Sequence, residues 1–404
     1  MFYFGVDWGE TTYRLRILNE AGARVSQITF ERSPRGLEQV EAEQRKLGVP
    51  TSECPLAIET AHDLLVDYLL ERGYPLYIIP PHATDGYRNR QRHSGAHDDA
   101  SDAALLASIL RTDHDSQRRW LPNQPLTQQM LIQVRLIETL RRSRQRQENQ
   151  LRAVLLRAYP QALDLFGDLT AQISLQFLSV YPSAAEAKTL SAEAFQAFCQ
   201  EHGYKRADLI THRYAHLSSA SVSVPSAVGQ AYRETVRSLA DVLLPQVRCR
   251  PQALRQLDAL FPQHPDAFIF ESLPNAGVLL APALLVKFGD QRERFPTPAA
   301  VQALAGSCPV TEGGGKKHWV HFRHGCDHEF RHIAQQYARL SRSASGWAEA
   351  YWQESRPRCD SDAHADRLLA NRWLAIIWKL WQTRQAYDEA YHAQQRAQRR
   401  QPKA

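Results

Sequence analysis

The stretch YFGVDWGETT at residues 3–12 decides the fold of the N-terminal part of the chain. It predicts a short apolar strand that carries one carboxylate, Asp7, and then a turn. Residues 13–18 alternate apolar and basic residues like a second strand, and residues 25–30 predict a third strand after a hairpin turn. A carboxylate within a buried strand is costly unless a positive group meets it. A divalent metal ion fits, because hard cations prefer carboxylate oxygens.

Length and composition indicate a globular protein of two or three domains. The chain has 404 residues, of which 43% are hydrophobic and 23% are charged. No apolar run reaches the roughly 20 residues of a membrane span, and no signal peptide is evident at the N-terminus. The six cysteines are scattered without a C-x-x-C pair, which favours reduced thiols over a zinc site or disulfides. We therefore expect a cytoplasmic bacterial protein that does not enter a membrane and is nucleoid-associated when bound to DNA.

The net charge of +6 comes mostly from arginine. Because the guanidinium fork matches phosphate geometry, a polyanionic partner is one explanation. A GC-rich genome that favours arginine codons is the other, and composition alone does not separate the two.

Strands and helices alternate after the predicted hairpin. Residues 55–60 predict a buried strand that ends on Glu59, residues 63–72 an amphipathic helix, residues 74–79 another strand and residues 97–110 a helix. Three hairpin strands followed by this alternation predict a mixed α/β sheet. Residues 120–122 resemble a linker.

A single long helix is predicted over residues 127–159, with a basic segment in its middle. Its length favours a coiled-coil hairpin or a dimer arm, and a solvated helix face is the alternative. Residues 160–255 look helical throughout. The candidate nucleic-acid-binding residues are those of the basic segment and two lysines of a later glycine-rich loop, namely Arg141, Arg142, Arg144, Arg146, Lys316 and Lys317.

The C-terminal part is predicted to be mostly helical. Residues 268–285 read as helix, glycine turn and helix, residues 319–323 as a short strand, and residues 327–353 and 362–392 as helices. The tryptophans of these helices fit a core at helical spacing, and base stacking is the minority interpretation. The tail at residues 395–403 is basic and is expected to be disordered.

Four acidic residues are candidates for a metal site. Asp7 and Glu59 belong to strands, and Asp99 and Asp102 lie near a helix start at a spacing that places both on one face. Four such carboxylates could bind two divalent ions about 4 Å apart, which suits phosphodiester chemistry and favours Mg²⁺ or Mn²⁺. Alternatively, Asp99 and Asp102 cap the helix, and Asp98 competes with Asp99.

These residues resemble a known family, the insertion-sequence "one-ten" transposases, which include the pilin-gene inverting recombinases. The order of the four acids is similar to the DEDD set of that family. The similarity continues through LPNAG at residues 273–277, AGSCPVT at 305–311, FRHGC at 322–326 and RLLANRWL at 367–374. It therefore covers nearly the whole chain.

The resemblance implies a RuvC-like domain with an RNase H fold at residues 1–122, in which Asp7, Glu59, Asp99 and Asp102 bind Mg²⁺. It also implies a helical coiled-coil dimerisation region at 123–255, a mostly α-helical transposase domain at 256–392 and a basic tail at 393–404. The partners implied are donor and target DNA, a structured noncoding bridge RNA that acts as guide, and further copies of the chain. Those copies would form a dimer, and a tetramer when assembled on DNA.

One position departs from the family pattern. The family loop reads Pro-Val-Thr, two variable residues and Ser-Gly-Lys, whereas PVTEGGGK here places Gly314 at the position of the nucleophilic serine. Glycine has no nucleophile, so the chain is a defective natural copy, an engineered inactive variant, or one that uses Ser307 or Thr311 instead. We favour a lost nucleophile, because a shift along the loop would also have to move the reacting geometry.

Three other functions remain open from the sequence. A RuvC-like nuclease would use the same acids with water as nucleophile, and a binding-only nucleoprotein would need none of them. The third is an actin-like ATPase or sugar kinase, whose first phosphate loop is similar to residues 5–12. No convincing second phosphate motif accompanies that loop, so this class is the weakest.

Overall fold

The computed structural model describes residues 1–61, 63–81, 83–84, 87, 99–219, 226–314 and 317–400. The chain divides into two compact units, Met1–Pro122 and Asn123–Ala404. The predicted functional subdivision at residues 122, 255 and 392 stays a prediction. Within the described ranges, no helix combines the length and the apolar character that a membrane span needs.

A mixed sheet forms the N-terminal unit, as the sequence predicts. Within the residues described, its strands lie in the order β3-β2-β1-β4-β5-β6. The strands β1, β4 and β5 are parallel, and the other neighbours pair in antiparallel fashion. The bounds are Tyr3–Trp8 (β1), Thr12–Leu18 (β2), Arg24–Glu31 (β3), Leu56–Ile58 (β4), Leu76–Ile78 (β5) and Arg119–Trp120 (β6).

The predicted linker at residues 120–122 begins inside the sheet. Arg119 and Trp120 form the edge strand β6, which pairs with Leu76 and Tyr77 of β5. The expectation was wrong at this point because a two-residue strand has no periodicity that a sequence could show. Only the pairing with β5 reveals it.

Helices cover both faces of the sheet. They span Pro34–Lys46 (α1), Leu64–Glu71 (α2) and Asp99–Thr112 (α3). On one face, Phe4 and Val6 of β1 pack with residues of α1 and α2. On the other face, Ala57 of β4 and Tyr77 of β5 pack with residues of α3. The alternation of apolar residues along each strand produces these two cores, because successive side chains point to opposite faces.

Helix α3 lies directly on the backbone of β1 at Gly5. A Cβ atom at Gly5 would lie 2.1 Å from the carbonyl oxygen of Ala103 and 2.4 Å from the backbone nitrogen of Ala107. Both obstacles are helix backbone, which cannot rotate away as a long side chain can. The sequence therefore needs glycine at this position for α3 to approach the sheet.

The C-terminal unit is helical apart from one hairpin in its described residues. Its helices span Pro125–Ala158 (α4), Gln172–Val180 (α5), Ala184–Lys188 (α6), Ala192–Glu201 (α7), Ala207–Leu217 (α8), Ser226–Leu260 (α9), Ala267–Glu271 (α10), Gly277–Phe288 (α11), Pro298–Leu304 (α12), His328–Ser341 (α13), Gly346–Ser355 (α14), Asp362–Thr383 (α15) and Glu389–Arg400 (α16). The hairpin consists of β7, Val310–Gly314, and β8, Lys317–His321. The turn predicted between two helices at residues 268–285 is the connection between α10 and α11.

The long helix α4 pairs with α9 of the same chain in the antiparallel direction. Met130 near the start of α4 packs with Leu257 near the end of α9, and Leu155 near the end of α4 shares a core with Val236. Between these ends, the Gln246 amide donates to the Gln147 side chain over 2.6 Å. This pairing accounts for the apolar stripe of α4, and the predicted coiled-coil dimer arm stays a prediction.

The tryptophans of the last helices belong to the core, as helical spacing predicts. Trp373 and Trp381 are fully buried, and Trp347 packs on Trp373 with ring centroids 4.6 Å apart. The interpretation as stacking platforms for bases therefore has no support at these two fully buried rings.

Two predicted long helices are each interrupted. The first divides into α13 and α14, because Ser345 starts a new helix by accepting the N–H of Ala348. The second divides into α15 and α16, because Arg384 adopts a left-handed conformation with φ of 53°. The tail that was expected to be disordered is helical as far as Arg400, and residues 401–404 lie outside the described residues.

A Gly5→Ala substitution should destabilise the N-terminal unit strongly. The added methyl group overlaps two backbone atoms of α3, and overpacking of this kind costs roughly 3 kcal/mol or more of unfolding free energy. Urea denaturation followed by circular dichroism measures the loss.

Gly346→Ala is the matched control for this substitution, because a Cβ there meets no heavy atom within 4 Å. It should leave the denaturation midpoint nearly unchanged. Equal midpoints for the two variants would contradict the contact between α3 and β1.

Candidate active site

Two of the predicted acidic residues lie side by side at the end of the parallel strands. The register pairs Gly5 with Ala57 and Val6 with Ile58, so the next residues along the two strands are Asp7 and Glu59. Glu59 follows β4 directly and does not lie within it, which corrects its predicted position by one residue. Neighbouring strands are about 4.8 Å apart, so the two residues are adjacent across the sheet.

Asp7 lies on the sheet face that α3 covers, and Glu59 comes two residues after a strand residue of that face. Gly5 is in contact with α3, and Asp7 follows it by two residues. Ala57 belongs to the core formed with α3, and Glu59 follows it by two residues. Because residues i and i+2 of a strand share a face, Asp7 belongs to the α3 side. Glu59 lies just beyond β4, so its place on that side stays a prediction.

The direction of α3 brings its first turn to the same end of the sheet. The Tyr3 ring meets the edge of His114, just beyond the end of α3, at a centroid distance of 6.1 Å. Two residues further along β1, Gly5 meets Ala103 and Ala107. Helix α3 therefore runs antiparallel to β1, and its N-terminal turn lies toward Asp7.

Asp99 and Asp102 belong to this N-terminal turn of α3. Asp102 directly precedes Ala103, and Asp99 is the first residue of the helix. The side chain of Asp99 and the whole of Asp98 lie outside the described residues. Among the side chains that are described, no three acids, histidines or cysteines form a metal-binding group. The structure thus brings the four positions to one end of the sheet, and convergence of their carboxylates stays a prediction.

A basic residue that the sequence reasoning missed stands beside Asp7. The register of β1 and β2 places Arg14 directly opposite Asp7, and Arg16 opposite Gly5. Directly opposed residues of antiparallel strands share a face, so Arg14 lies on the α3 side as well. The alternation of basic and apolar residues in β2 was the signal that could have identified it.

Asp63 anchors the segment that leads away from Glu59. Its buried carboxylate accepts the N–H of Leu65 over 2.9 Å and caps α2, and it also accepts a hydrogen bond from the Tyr13 hydroxyl. Arg32 forms an ion pair with it over 3.0 Å. Burial and the hydrogen bond to Asp63 raise the pKa of Tyr13 to about 12. The segment after Glu59 is therefore tied to β2 and to the segment after β3.

Gly314, which is predicted to occupy the position of the family serine, lies on the hairpin of the C-terminal unit. Gly314 is the last residue of β7, and its partner across the hairpin is Lys317. Strand β8 begins and ends two residues earlier than predicted. Lys316 and the side chain of Lys317 lie outside the described residues, so their predicted role in binding nucleic acid stays a prediction.

Comparisons with known proteins match both parts of this chain to transposases. A family model of DEDD-type IS110 transposases, described as "Transposase", matches residues 4–160, and one described as "Transposase IS116/IS110/IS902 family" matches residues 267–353. Together the two models cover more than half of the chain. This protein belongs to the IS110 family of transposases.

Individual relatives agree with this assignment. The transposase is 29% identical over 395 residues to a protein of Streptomyces coelicolor named as a mini-circle transposase for IS117, covering 96% of this chain and 95% of the relative. It is 25% identical over 285 residues to an uncharacterised 43.6 kDa protein of insertion element IS110 from the same organism, covering 70% of each.

Family membership fixes the broad chemistry. The transposase is a DNA recombination enzyme, and its N-terminal unit has an RNase H-like fold. The DEDD family implies a divalent metal ion, and the carboxylates at the end of β1 and β4 are ligands of the right type for a hard cation. The actin-like ATPase and sugar-kinase alternative is therefore wrong.

The two other hydroxyl groups near the hairpin differ in accessibility. Ser307 is buried, and its hydroxyl donates to the Asn371 side chain over 2.8 Å. Thr311 is exposed on β7, opposite Val320. The Ser307 hydroxyl is therefore engaged in a hydrogen bond inside the transposase and is not exposed to a ligand.

The basic segment of α4 is partly available to a ligand. Arg142 and Arg146 are exposed, and Arg144 is half-buried. Arg141 donates to the buried carboxylate of Glu138 over 3.1 Å, so this guanidinium is engaged within the transposase.

An Asp63→Asn substitution should destabilise the N-terminal unit of the transposase by roughly 1–3 kcal/mol, because it removes the charge that Arg32 pairs with inside a buried network. Chemical denaturation measures the change. Asp67→Asn on the exposed side of α2 is the control and should stay within about 0.5 kcal/mol of the parent. Equal effects of the two substitutions would contradict an anchoring role for Asp63.

Proposed function

We propose that this transposase cuts and rejoins DNA with Mg²⁺ held by Asp7, Glu59, Asp99 and Asp102, and that Mn²⁺ can replace Mg²⁺. The observation that carries the proposal is the meeting of two strand ends and one helix start at a single end of the sheet. When bound, the metal supplies activation of an attacking oxygen and stabilisation of a leaving oxygen in a phosphodiester.

The chain's own residues prepare this region for a cation. Crowded carboxylates repel each other, so adjacent Asp7 and Glu59 favour the uptake of positive charge. Arg14 opposes Asp7 on β2, and its positive charge offsets only part of this repulsion. The anchor at Asp63 restrains the segment that follows Glu59, and this restraint limits the reorganisation needed on binding.

We infer that the nucleophile for strand transfer has been lost at Gly314. The burial of Ser307 and its hydrogen bond to Asn371 argue against a replacement there. Thr311 lies three residues from Gly314, roughly 10 Å along an extended strand, so it would attack from a different place. The chain should therefore bind DNA and metal but join strands poorly.

We further propose the partners that the family resemblance implies. Donor and target DNA are read by base pairing with a structured noncoding bridge RNA, and the protein recognises the shape and backbone of that RNA. The chain acts as a dimer that becomes a tetramer on DNA. The exposed Arg142 and Arg146 of α4 support a nucleic-acid contact on that helix.

Gly314 favours a second candidate function. Without a serine, the carboxylates could still support metal-dependent nicking with water as nucleophile, as in a RuvC-like nuclease. If even nicking is absent, the chain is a binding-only nucleoprotein. Nicking without a covalent protein–DNA adduct would identify the first of these two cases.

Asp7→Asn should abolish the response of the protein to metal. The substitution removes a charged oxygen ligand, so the rise in melting temperature on addition of Mg²⁺ or Mn²⁺ should disappear, together with any nicking of supercoiled DNA. Differential scanning fluorimetry gives a readout that does not require strand transfer. Glu59→Gln should behave in the same way.

Asp67→Asn is the control for this experiment, because it removes an exposed carboxylate from the same unit. It should retain the metal response of the parent. A full metal response in Asp7→Asn and in Glu59→Gln would refute the metal site.

Gly314→Ser should restore strand transfer if the nucleophile was lost at this position. The added hydroxyl group would allow a covalent link to DNA, seen as a protein–DNA adduct that survives denaturing electrophoresis in the presence of donor and target DNA and the flanking RNA. Gly313→Ser places the same group one residue earlier and should give no adduct. An adduct formed by the unaltered chain would contradict the loss of the nucleophile.

A further inference from the structure

An exposed aromatic ring lies at the open end of the hairpin, where β8 ends, and two arginines lie beside it. Phe322 follows β8 directly and is 40% exposed. The Arg331 guanidinium carbon lies 4.5 Å from the centre of its ring, and that of Arg367 lies 4.7 Å away. Two positive charges thus lie within 5 Å of the centre of one phenyl ring, one from α13 and one from α15.

The two guanidinium groups are not neutralised locally. Within the described part of the chain, neither Arg331 nor Arg367 forms an ion pair with a carboxylate. Asp327, four residues before Arg331, is paired with Lys287 over 2.9 Å and caps α13 by accepting the N–H of Phe330. Burial, and then the charge of Arg331, lower the pKa of the Arg367 guanidinium. An anion bound close to both groups would relieve this repulsion.

The fold holds Arg331 in place along one edge of its guanidinium group. Its terminal nitrogen donates to the carbonyl of Arg323, and its Nε is buried without a hydrogen-bond partner. Gly306 has a φ of 60°, and a Cβ there would lie 2.5 Å from the Arg331 guanidinium. The glycine therefore provides the space that the guanidinium occupies. The position of the guanidinium is thus fixed without a bound ligand.

We propose that Arg331 and Arg367, supported by Phe322, form a phosphate clamp for the DNA backbone. An arginine fork can make two parallel hydrogen bonds to a phosphate, and stacking on an aromatic ring fixes the plane of the fork. Phosphate contacts of this kind position a protein on DNA without reading sequence. DNA is the favoured occupant because the chain belongs to a transposase family.

The clamp positions DNA and does not take part in the reaction. Arg323, next to Phe322, donates to the carbonyl oxygens of Cys308 and Pro309, so the clamp lies at the open end of the hairpin. Gly314 lies four residues along β7 from Val310, roughly 14 Å at the rise of a strand. The proposal rests on the proposed function, since it supplies a backbone contact for the hairpin that carries the serine position.

Arg367→Gln in the full-length protein tests the clamp. The probe is a labelled duplex DNA of mixed sequence, titrated at several salt concentrations in EDTA so that no metal is bound. Affinity should fall roughly tenfold, and the slope of log affinity against log salt should become shallower by about one.

Arg372→Gln is the matched control, because it removes the same charge from an exposed position of the same helix. It should retain at least half of the parent affinity and most of the salt slope. Equal losses in both variants would overturn the clamp, since they would show a general effect of net charge. Unchanged affinity in Arg367→Gln would overturn it as well.

Arg367→Lys covers the case in which Arg367→Gln fails to fold, as judged by circular dichroism. Lysine keeps the charge but loses the fork and the stacked plane, so the salt slope should be retained while affinity falls severalfold. A lysine variant with full affinity would overturn the clamp. A labelled structured RNA forms a second arm, and a loss confined to RNA would overturn the assignment to DNA.

These outcomes are separable from failure of the proposed function. The binding assay is carried out without metal, so a clamp can be present in a protein whose carboxylates bind no Mg²⁺. Conversely, Asp7→Asn can abolish the metal response while Arg367→Gln leaves DNA affinity unchanged. Unchanged DNA affinity in Arg367→Gln would contradict the clamp without contradicting the metal site.

Discussion

Contact between the backbone of α3 and Gly5 is the constraint on which the N-terminal unit depends. Because Gly5 has no side chain, the backbone of Ala103 and Ala107 can contact β1. This contact fixes the position of α3 along the strand. That position brings the first turn of the helix to the end of β1, where Asp7 and Glu59 lie next to each other. The proposed metal site therefore depends on a residue that has no side chain.

Electrostatics sets the second constraint on this unit. Carboxylates placed together at one sheet end raise the free energy of the fold unless positive charge balances them. Arg14 faces the acids from β2, and Arg32 balances Asp63 at the other end of the segment that follows Glu59. The unit thus keeps its structural acid paired, while the acids at the strand ends are of the type that binds a divalent cation.

The C-terminal unit is built differently from the N-terminal unit. It consists of a helical core with one short hairpin among its described residues. Trp373 and Trp381 are buried at the centre of that core, and the antiparallel pair of α4 and α9 extends from it. The hairpin carries exposed apolar residues, including Trp319 and Val320. Its open end is held by hydrogen bonds from Arg323 and Arg331.

The sequence by itself determined the elements whose signals are local. Apolar alternation identified the hairpin strands, helical spacing identified the tryptophan core, and the ordered acids with the C-terminal motifs identified the family. It also predicted that Gly314 occupies the position of the family's nucleophilic serine. It did not show the edge strand β6, the breaks at Ser345 and Arg384, or the helix that continues to Arg400, since each depends on pairing or packing that leaves little local pattern.

Only the tertiary structure decided which residues are neighbours of the proposed functional groups. The neighbours Arg14 and Asp63 come from pairings across 7 and 50 residues of chain, and the guanidinium pair at Phe322 comes from two helices that are distant in sequence. The burial of Ser307 likewise follows from its contact with Asn371, 64 residues away. Periodicity reports which face of an element is apolar, but packing determines which faces meet, and that is why these contacts could not be read from the sequence.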